Sequence, residues 1–253
     1  MRPVEKLKVG DAIDLFEDIA DIPTEKHIVQ DEYNPYGDAR KVLLANLGNY
    51  CSYCEAHFEN GAILQTEHVQ PKGLKENGVL KYDHLKYKWS NFLLGCFTCN
   101  SKGNKGSKDV VLDAIHLPHL NNTFLSLIYK EAGVVLPNPA LPPLSLKKAE
   151  ALIDLIGLNK PSSETDYRCQ ARRQAWDKAQ NCLKKYKDGK YKLDALIDYI
   201  KEVGHWSIWY TVFDGQNEVR KALLDFPGTA SSCFDAENNY RPIYRHPELP
   251  DSV

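Results

Sequence analysis

The sequence predicts an α+β protein in which a small unit of short strands, stapled by a metal, precedes a mainly helical region. Two Cys-x-x-Cys pairs, Cys51/Cys54 and Cys96/Cys99, bracket short apolar segments of strand length. Beyond residue 144, apolar side chains recur three and four positions apart, which is the spacing of amphipathic helices. The 253 residues suffice to bury a full hydrophobic core. We divide the chain into an acidic N-terminal arm (1–35), a metal-stapled domain (36–143) and a helical region (144–253).

The composition is that of an ordinary globular protein. Hydrophobic residues make up 43% and charged residues 26%. No apolar run approaches the roughly 20 residues that a membrane-spanning helix needs. The first residues lack the apolar core of a secretory signal, and an odd count of seven cysteines argues against a disulfide framework. These features predict a protein of the reducing cytoplasm without membrane association.

Two helices are predicted ahead of the first cysteine pair. Ile13, Phe16 and Ile19 suggest a short amphipathic helix in the acidic arm. Apolar residues at helical spacing predict a second helix over residues 36–49, with Gly48 as its stop signal. This second helix delivers the chain to the first cysteine pair, so we expect it to support the metal site.

Short strands and one further helix are predicted between and after the cysteine pairs. Residues 63–64 and 68–69 suggest a pair of strands, and Pro71 ends the second of them. The polar segment after Cys99 suggests the start of a helix whose first turn presents Asn100. Two strands and a helix would then enclose the residues between the cysteine pairs.

The second half of the chain is predicted to be mainly helical. Aromatic residues at positions 206, 209, 210 and 213 follow a helical repeat, and such a stripe is far more often core than a cofactor site. The predicted elements are a strand over 124–129 and helices near 149–157, 165–187, 193–204 and 206–213.

The cysteine pairs predict a structural zinc site. They are separated by 41 residues and together supply the four thiolates of a closed tetrahedral zinc. Four protein ligands leave the zinc no open position, so any chemistry must depend on residues between or beside the pairs and on a second metal ion. The candidates are a carboxylate, a histidine and two amides: Glu67, His68, Asn91 and Asn100.

Positive charge is concentrated beside these candidates. The net charge is only −2, but residues 70–108 contain eight lysines against Glu76 and Asp83, while residues 1–35 contain nine acidic against four basic residues. A lysine run alone is more often a solvated loop, whereas lysines beside a phosphate-cleaving motif favour binding of nucleic acid. The candidate phosphate-binding residues are Lys72, Lys102 and Lys105.

These residues, in this order and spacing, resemble the HNH endonucleases, which have a ββα-metal fold. The resemblance covers about residues 50–108, and its specificity lies in the agreement of nine or more positions. In place of the histidine that such families often have after the second cysteine pair, this chain has Asn100, which makes it a His-Asn-Asn version. The matching segments are Cys51-Ser-Tyr-Cys54, Glu67-His68-Val-Gln-Pro-Lys72, Trp89-Ser-Asn91 and Cys96-Phe-Thr-Cys99-Asn100-Ser-Lys102-Gly.

The resemblance implies a metal-dependent nuclease that hydrolyses phosphodiester bonds of DNA. His68 matches the general base, Glu67 and Asn100 match the ligands of the catalytic ion, and Asn91 matches the amide that holds the base in orientation. Because carboxylate and amide oxygens are hard ligands, we expect Mg²⁺ or Mn²⁺ at this second site. The lysines would bind flanking phosphates without reading the base sequence.

Alternatives remain open at this point. The same lysines could serve a catalytically silent zinc module that binds nucleic acid or a partner protein, and the same site could cleave RNA. Over its whole length the chain looks similar to stand-alone HNH proteins of Septu-like and retron-associated antiphage systems, which implies defence against phage and a partner ATPase of the ABC type. His116 and His119 have ligand spacing, but Pro118 disfavours a shared helix face, so we do not expect a metal there.

Overall fold

The computed structural model describes residues 1–16 and 23–245 and has a mixed α/β architecture. Short antiparallel strand pairs alternate with helices in the first half of the chain, and helices dominate the second half. None of the helices in these ranges is both long and apolar enough to cross a membrane. The helices are α1 (Ala39–Leu47), α2 (Thr123–Ser126), α3 (Pro143–Ile156), α4 (Arg168–Lys187), α5 (Leu193–Val203), α6 (Trp206–Val212) and α7 (Asn217–Leu224).

Within the described residues the strands form five separate antiparallel pairs. Each pair is a two-stranded sheet, and the pairs are β1–β2, β3–β6, β4–β5, β7–β8 and β9–β10. The strands are β1 (Ala12–Phe16), β2 (Pro23–Ile28), β3 (Leu64–His68), β4 (Lys75–Glu76), β5 (Val79–Leu80), β6 (Phe92–Cys96), β7 (Leu127–Tyr129), β8 (Val135–Pro137), β9 (Phe234–Asp235) and β10 (Arg241–Pro242).

The N-terminal arm contains strands rather than the expected short helix. Ile13 and Phe16 lie on β1, which pairs with β2 and packs against α1, while Ile19 lies outside the described residues. The spacing of Ile13 and Phe16 therefore does not mark a helix, because both residues lie on an extended strand. The first residues are fastened to the rest of the protein, since the backbone N–H of Val4 donates to the carbonyl of Pro118 over 2.7 Å.

The expected helix before the first cysteine pair is confirmed as α1, which a single 3₁₀ turn precedes and Gly48 ends. The prediction of two paired strands within residues 63–69 is wrong. Residues 64–68 form one continuous strand, β3, and its partner β6 lies beyond a loop of more than twenty residues. Local sequence could not predict this pairing, because both strands are buried over most of their length and carry no alternating pattern.

The helix expected after Cys99 is replaced by consecutive turns. No α-helix lies between β6 and α2 in this described part of the chain. Gly106 adopts a φ of +45°, and a Cβ there would lie 3.0 Å from the carbonyl oxygen of Ser101. Glycine, serine and asparagine favour turns over helix interiors, and they recur through this segment.

The helices expected in the second half are confirmed, with boundaries shifted by a few residues in α3 and α4. The segment expected as a strand over 124–129 divides into the short helix α2 and the strand β7. The aromatic stripe of α6 is core: Trp206 and Tyr210 stack with ring centroids 4.5 Å apart. Phe124 contacts both rings edge to face, which joins α2 to α6.

Candidate functional site

Four buried cysteines lie close enough together to bind one metal ion. The Sγ atoms of Cys51, Cys54, Cys96 and Cys99 are all within 4.8 Å of one another, and each residue is 3% exposed or less. Cys54 and Cys96 have their sulfurs 3.8 Å apart, which matches the edge of about 3.8 Å expected for sulfurs at about 2.3 Å from a tetrahedral zinc. Within the described ranges, no other group of three or more His, Cys, Asp or Glu side chains could hold a metal.

Two segments of the chain supply the four cysteines. Cys51 and Cys54 lie in the turn after α1, and Cys96 is the last residue of β6. The backbone N–H of Cys96 donates to the sulfur of Cys51 over 3.3 Å. Hydrogen bonds from the other thiols, that of Cys51 first, hold the pKa of Cys96 well below its usual range. Hydrogen bonds within the cluster raise the pKa of Cys54, and burial raises that of Cys99, so the network favours one thiolate among the four sulfurs, and a thiolate is the form that binds a metal.

A buried arginine from the helical region completes the surroundings of the cluster. Arg168, in the first turn of α4, donates from Nη1 to the sulfur of Cys99 over 3.3 Å. The same guanidinium donates to the carbonyls of Ile156 and Gly157 at 2.9 Å and pairs with Asp166 at 2.8 Å. Arg168 therefore connects the sulfur cluster to the end of α3 and the start of α4.

Glu67 and His68 end the strand β3, next to the cluster. In the β3–β6 pair, Leu64 lies opposite Cys96 and His68 lies opposite Phe92, so one strand pair connects the cluster to the candidate base. Both Glu67 and His68 are largely buried, yet both line a cavity of about 780 Å³ on the surface of the protein. The strand pair thus presents the Glu-His dipeptide at the wall of an open cavity.

The imidazole of His68 is held in one orientation. Its Nε2 lies 2.9 Å from the carbonyl oxygen of Lys86, and because a carbonyl can only accept, Nε2 carries the proton and Nδ1 keeps the lone pair. The rings of Tyr36 and Phe92 contact the imidazole edge to face, with centroids 4.8 Å and 5.1 Å away. Burial lowers the pKa of His68 to about 4, so the ring is neutral at neutral pH.

The carboxylate of Glu67 is buried against a lysine. Its Oε1 forms an ion pair with the ammonium of Lys105, and both side chains are almost fully buried. Burial raises the pKa of Glu67 above its usual value, and the ammonium of Lys105 opposes that rise. Lys105 was expected to bind flanking phosphates. Its placement in this structure does not allow that contact, because the side chain is buried and bound to internal partners.

Asn91 joins the loop after β3 to the loop before β6. Its Oδ1 accepts from the backbone N–H of Gln70 over 2.8 Å. Its Nδ2 donates to the carbonyls of Gln70 and Leu85 over 2.9 Å and 3.3 Å. Leu85 is adjacent to Lys86, whose carbonyl orients His68. These contacts are those of a residue that holds backbone segments together rather than of a metal ligand.

Asn100 lies beside Glu67 at the same cavity. A Cβ built on Gly95 would be 3.0 Å from the Cβ of Glu67 and 3.8 Å from that of Asn100, so the two side chains start from neighbouring positions. The amide nitrogen of Asn100 lies 3.3 Å from Oε1 of Gln65, to which it donates. The amide oxygen is then the atom of Asn100 that could ligate a cation. The structure therefore brings Glu67, His68 and Asn100 to one surface.

The cavity wall carries three cationic side chains against the single carboxylate of Glu67. Lys72 and Lys102 line it as expected, and the ammonium of Lys72 rests 3.6 Å from the ring centroid of Tyr36. Arg40, on α1, was not foreseen. Its guanidinium donates to the carbonyls of Leu64 and Gly61 over 2.7 Å and 2.6 Å, which fixes a positive charge beside β3. Local sequence carries no signal for Arg40, because its proximity depends on how α1 packs.

Four further histidines, His57, His84, His116 and His119, lie elsewhere. His84 is exposed, and His57 packs against Tyr50 with ring centroids 5.2 Å apart. His116 is buried, with Nδ1 lying 2.8 Å from the hydroxyl of Ser126. Burial lowers its pKa to about 4 and that of His119 well below the usual value. None of these side chains lines the cavity that holds His68.

No protein-family model matches this chain, and no curated protein matches it. The resemblance to HNH endonucleases therefore rests on the motif residues themselves.

Proposed function

We propose that this protein is a metal-dependent endonuclease of the HNH type that hydrolyses phosphodiester bonds of DNA and holds a structural zinc in its cysteine cluster. The observation that carries the proposal is that His68, Glu67 and Asn100 line one cavity, next to four cysteines spaced for one metal. A histidine base, two oxygen donors and a positively charged wall are the parts that phosphodiester hydrolysis requires.

In the proposed reaction His68 is the general base. Because Nε2 is engaged with the carbonyl of Lys86, Nδ1 is the nitrogen that would remove a proton from the attacking water. At neutral pH the ring is neutral, which is the form able to accept a proton. The flanking rings of Tyr36 and Phe92 restrict rotation of the imidazole, so little reorganisation precedes proton transfer.

Glu67 and Asn100 would hold a Mg²⁺ or Mn²⁺ ion. Carboxylate and amide oxygens are the donors that these hard cations prefer, and two protein ligands leave room for water and for phosphate oxygens of the substrate. When bound, such an ion polarises the scissile phosphate and stabilises charge on the leaving oxygen. The cysteine cluster would take zinc, because four thiolates suit that metal and close its coordination shell.

The charges of the cavity wall support a polyanionic substrate. Arg40, Lys72 and Lys102 would contact phosphates on either side of the scissile bond, which predicts affinity that falls steeply with salt. Phosphate contacts alone do not distinguish DNA from RNA. Digestion of a DNA and an RNA of the same sequence side by side tests the choice of DNA.

The turns after Cys99 are a departure from the ββα-metal fold, in which a helix follows the second strand. Here the backbone N–H of Asn100 donates to the carbonyl of Cys96 over 3.0 Å, so a single hydrogen-bonded turn orients this segment. The proposal requires only that Asn100 remain beside Glu67, and a turn achieves that. Defence against phage and a partner ATPase depend on the resemblance alone and stay predictions, which an ATPase gene beside this one would favour.

The test is His68→Ala in the purified, zinc-loaded protein. With Mg²⁺ or Mn²⁺ added, the unaltered protein is expected to nick or cut plasmid DNA. The variant should lose at least about a hundredfold of the rate, the usual size of a general-base contribution. His84→Ala is the matched control, since His84 is an exposed histidine in the loop between β3 and β6.

The expected result is loss of cleavage in His68→Ala alone, with zinc content and cooperative melting retained in both variants. Cleavage by His68→Ala at the rate of the unaltered protein would rule out the assigned base. If the unaltered protein binds DNA but cleaves neither DNA nor RNA with either ion, the protein is a silent zinc module.

A further inference from the structure

Lys105 is a buried lysine that has no role in the proposed reaction but contacts two of the proposed site residues. Its side chain is 1% exposed, and its ammonium contacts two internal groups: the Oε1 atom of Glu67 and, at 2.6 Å, the backbone carbonyl of His68. The backbone N–H of Lys105 donates to the carbonyl of Cys99 over 3.1 Å. The segment that follows the sulfur cluster therefore places this ammonium in contact with both residues of the Glu-His dipeptide.

The ammonium of Lys105 pairs with Oε1 of Glu67, and that oxygen is buried. Glu67 lines the cavity and Lys105 does not, so an ion arriving from solvent would meet a carboxylate that already has a cation on one oxygen. A buried carboxylate needs such a partner, because an unpaired charge in the interior is costly. The same partner repels a second cation, and that repulsion is weakly screened where water is scarce.

We propose that Lys105 is an internal counter-cation that competes with the divalent ion for Glu67 and so weakens metal binding by the free protein. This inference rests on the proposed function, since it concerns the same carboxylate. Its consequence is that the ion binds tightly only when a substrate phosphate supplies additional negative charge. The site would then be loaded mainly in the presence of DNA.

The experiment titrates Mn²⁺ into zinc-loaded protein without DNA, at one mildly alkaline pH, and follows free Mn²⁺ by electron paramagnetic resonance. Lys105→Met removes the charge, and Lys105→Gln removes it while keeping a donor for the carbonyl of His68. Each should lower the Kd for Mn²⁺ by about tenfold, the effect of a modest repulsion between nearby charges. Lys108→Met is the matched control, because Lys108 is an exposed lysine three positions away in the same segment and does not line the cavity.

Tighter Mn²⁺ binding in both Lys105 variants and not in Lys108→Met supports the competition. A residue that only stabilised the fold would weaken metal binding when removed, so a Kd that is unchanged or higher overturns the inference. Loss of zinc and of cooperative melting in both Lys105 variants would make the residue structural and would also overturn it.

Glu67→Gln separates this inference from the proposed function. Mn²⁺ binding that Glu67→Gln abolishes supports the proposed metal site whatever the Lys105 variants do. Absence of Mn²⁺ binding by the unaltered protein and by every variant would refute the metal site and the inference together.

Discussion

One strand pair connects the sulfur cluster to the cavity wall, which is formed by Glu67, His68 and Asn100, but the two are built differently. The cluster is closed. Its four donors are buried within 4.8 Å of one another and need nothing from solvent. The cavity wall is open, and its side chains depend on contacts from other segments, such as the carbonyl of Lys86 for His68 and the ammonium of Lys105 for Glu67.

This difference separates the cysteines, which stabilise the fold, from the cavity-wall residues, which are accessible for the proposed reaction. A site whose ligands are all buried and convergent stabilises the fold when its metal binds, because the binding free energy is part of the folding free energy. A site that opens onto a cavity gains little stability from its polar groups and is available to a substrate. Perturbing the cluster should therefore unfold the protein, while perturbing the wall should mainly affect catalysis.

The largest effect is expected from Cys96→Ser. Loss of one thiolate should release the metal and lower the free energy of unfolding by about 5 kcal/mol or more, seen as loss of bound zinc in metal analysis and a fall in melting temperature. Cys182→Ser is the control, since Cys182 is buried on α4 outside the cluster. Retention of stoichiometric zinc and an unchanged melting temperature in Cys96→Ser would mean that the cluster does not staple the fold.

An intermediate effect is expected from Arg168→Met, which tests whether the helical region protects the cluster. Removing the guanidinium strips a donor from Cys99 and leaves Asp166 without its partner. We expect a loss of about 2–4 kcal/mol in the free energy of unfolding and faster release of zinc to a chelator. Arg173→Met is the control, because Arg173 is exposed on the same helix. If the two variants had the same melting temperature and the same rate of zinc release, Arg168 would have no role in stabilising the metal site.

The cysteine cluster and the helices were within reach of sequence reasoning because their signals are local. Two Cys-x-x-Cys pairs predicted convergence of four sulfurs, and that prediction is confirmed. Apolar residues at helical spacing predicted α1 and α3 to α6. Within each pair and each helix the relevant residues are a few positions apart, so spacing alone carries the information.

The contacts that complete the site were out of reach because they join distant segments. Arg168 is 69 positions from Cys99, and Arg40 is 24 positions from the carbonyl it holds. The burial of Lys105 also could not be foreseen, since lysine is seldom buried and a lysine-rich segment is normally a solvated loop. The helix expected after Cys99 failed for a local reason, namely the turn-forming residues of that segment.

The smallest effect on stability, and one mainly on catalysis, is expected from Asn91→Ala. The change leaves the backbone groups of Gln70 and the carbonyl of Leu85 without their partner, at a cost of about 1–3 kcal/mol. Because the next carbonyl, that of Lys86, orients His68, a shift of this loop would misplace the base. We expect kcat for DNA cleavage to fall by about a hundredfold while zinc content and DNA binding remain.

Ser90→Ala is the control for Asn91→Ala, since Ser90 is the exposed neighbour of Asn91 in the same loop. Asn91→Asp sharpens the test, because an aspartate can still accept from the N–H of Gln70 but cannot donate to the two carbonyls. An intermediate kcat for Asn91→Asp would show that both halves of the amide orient the base. If Asn91→Ala cleaves as fast as Ser90→Ala, the wall does not depend on this loop, and the contrast with the closed sulfur cluster no longer holds.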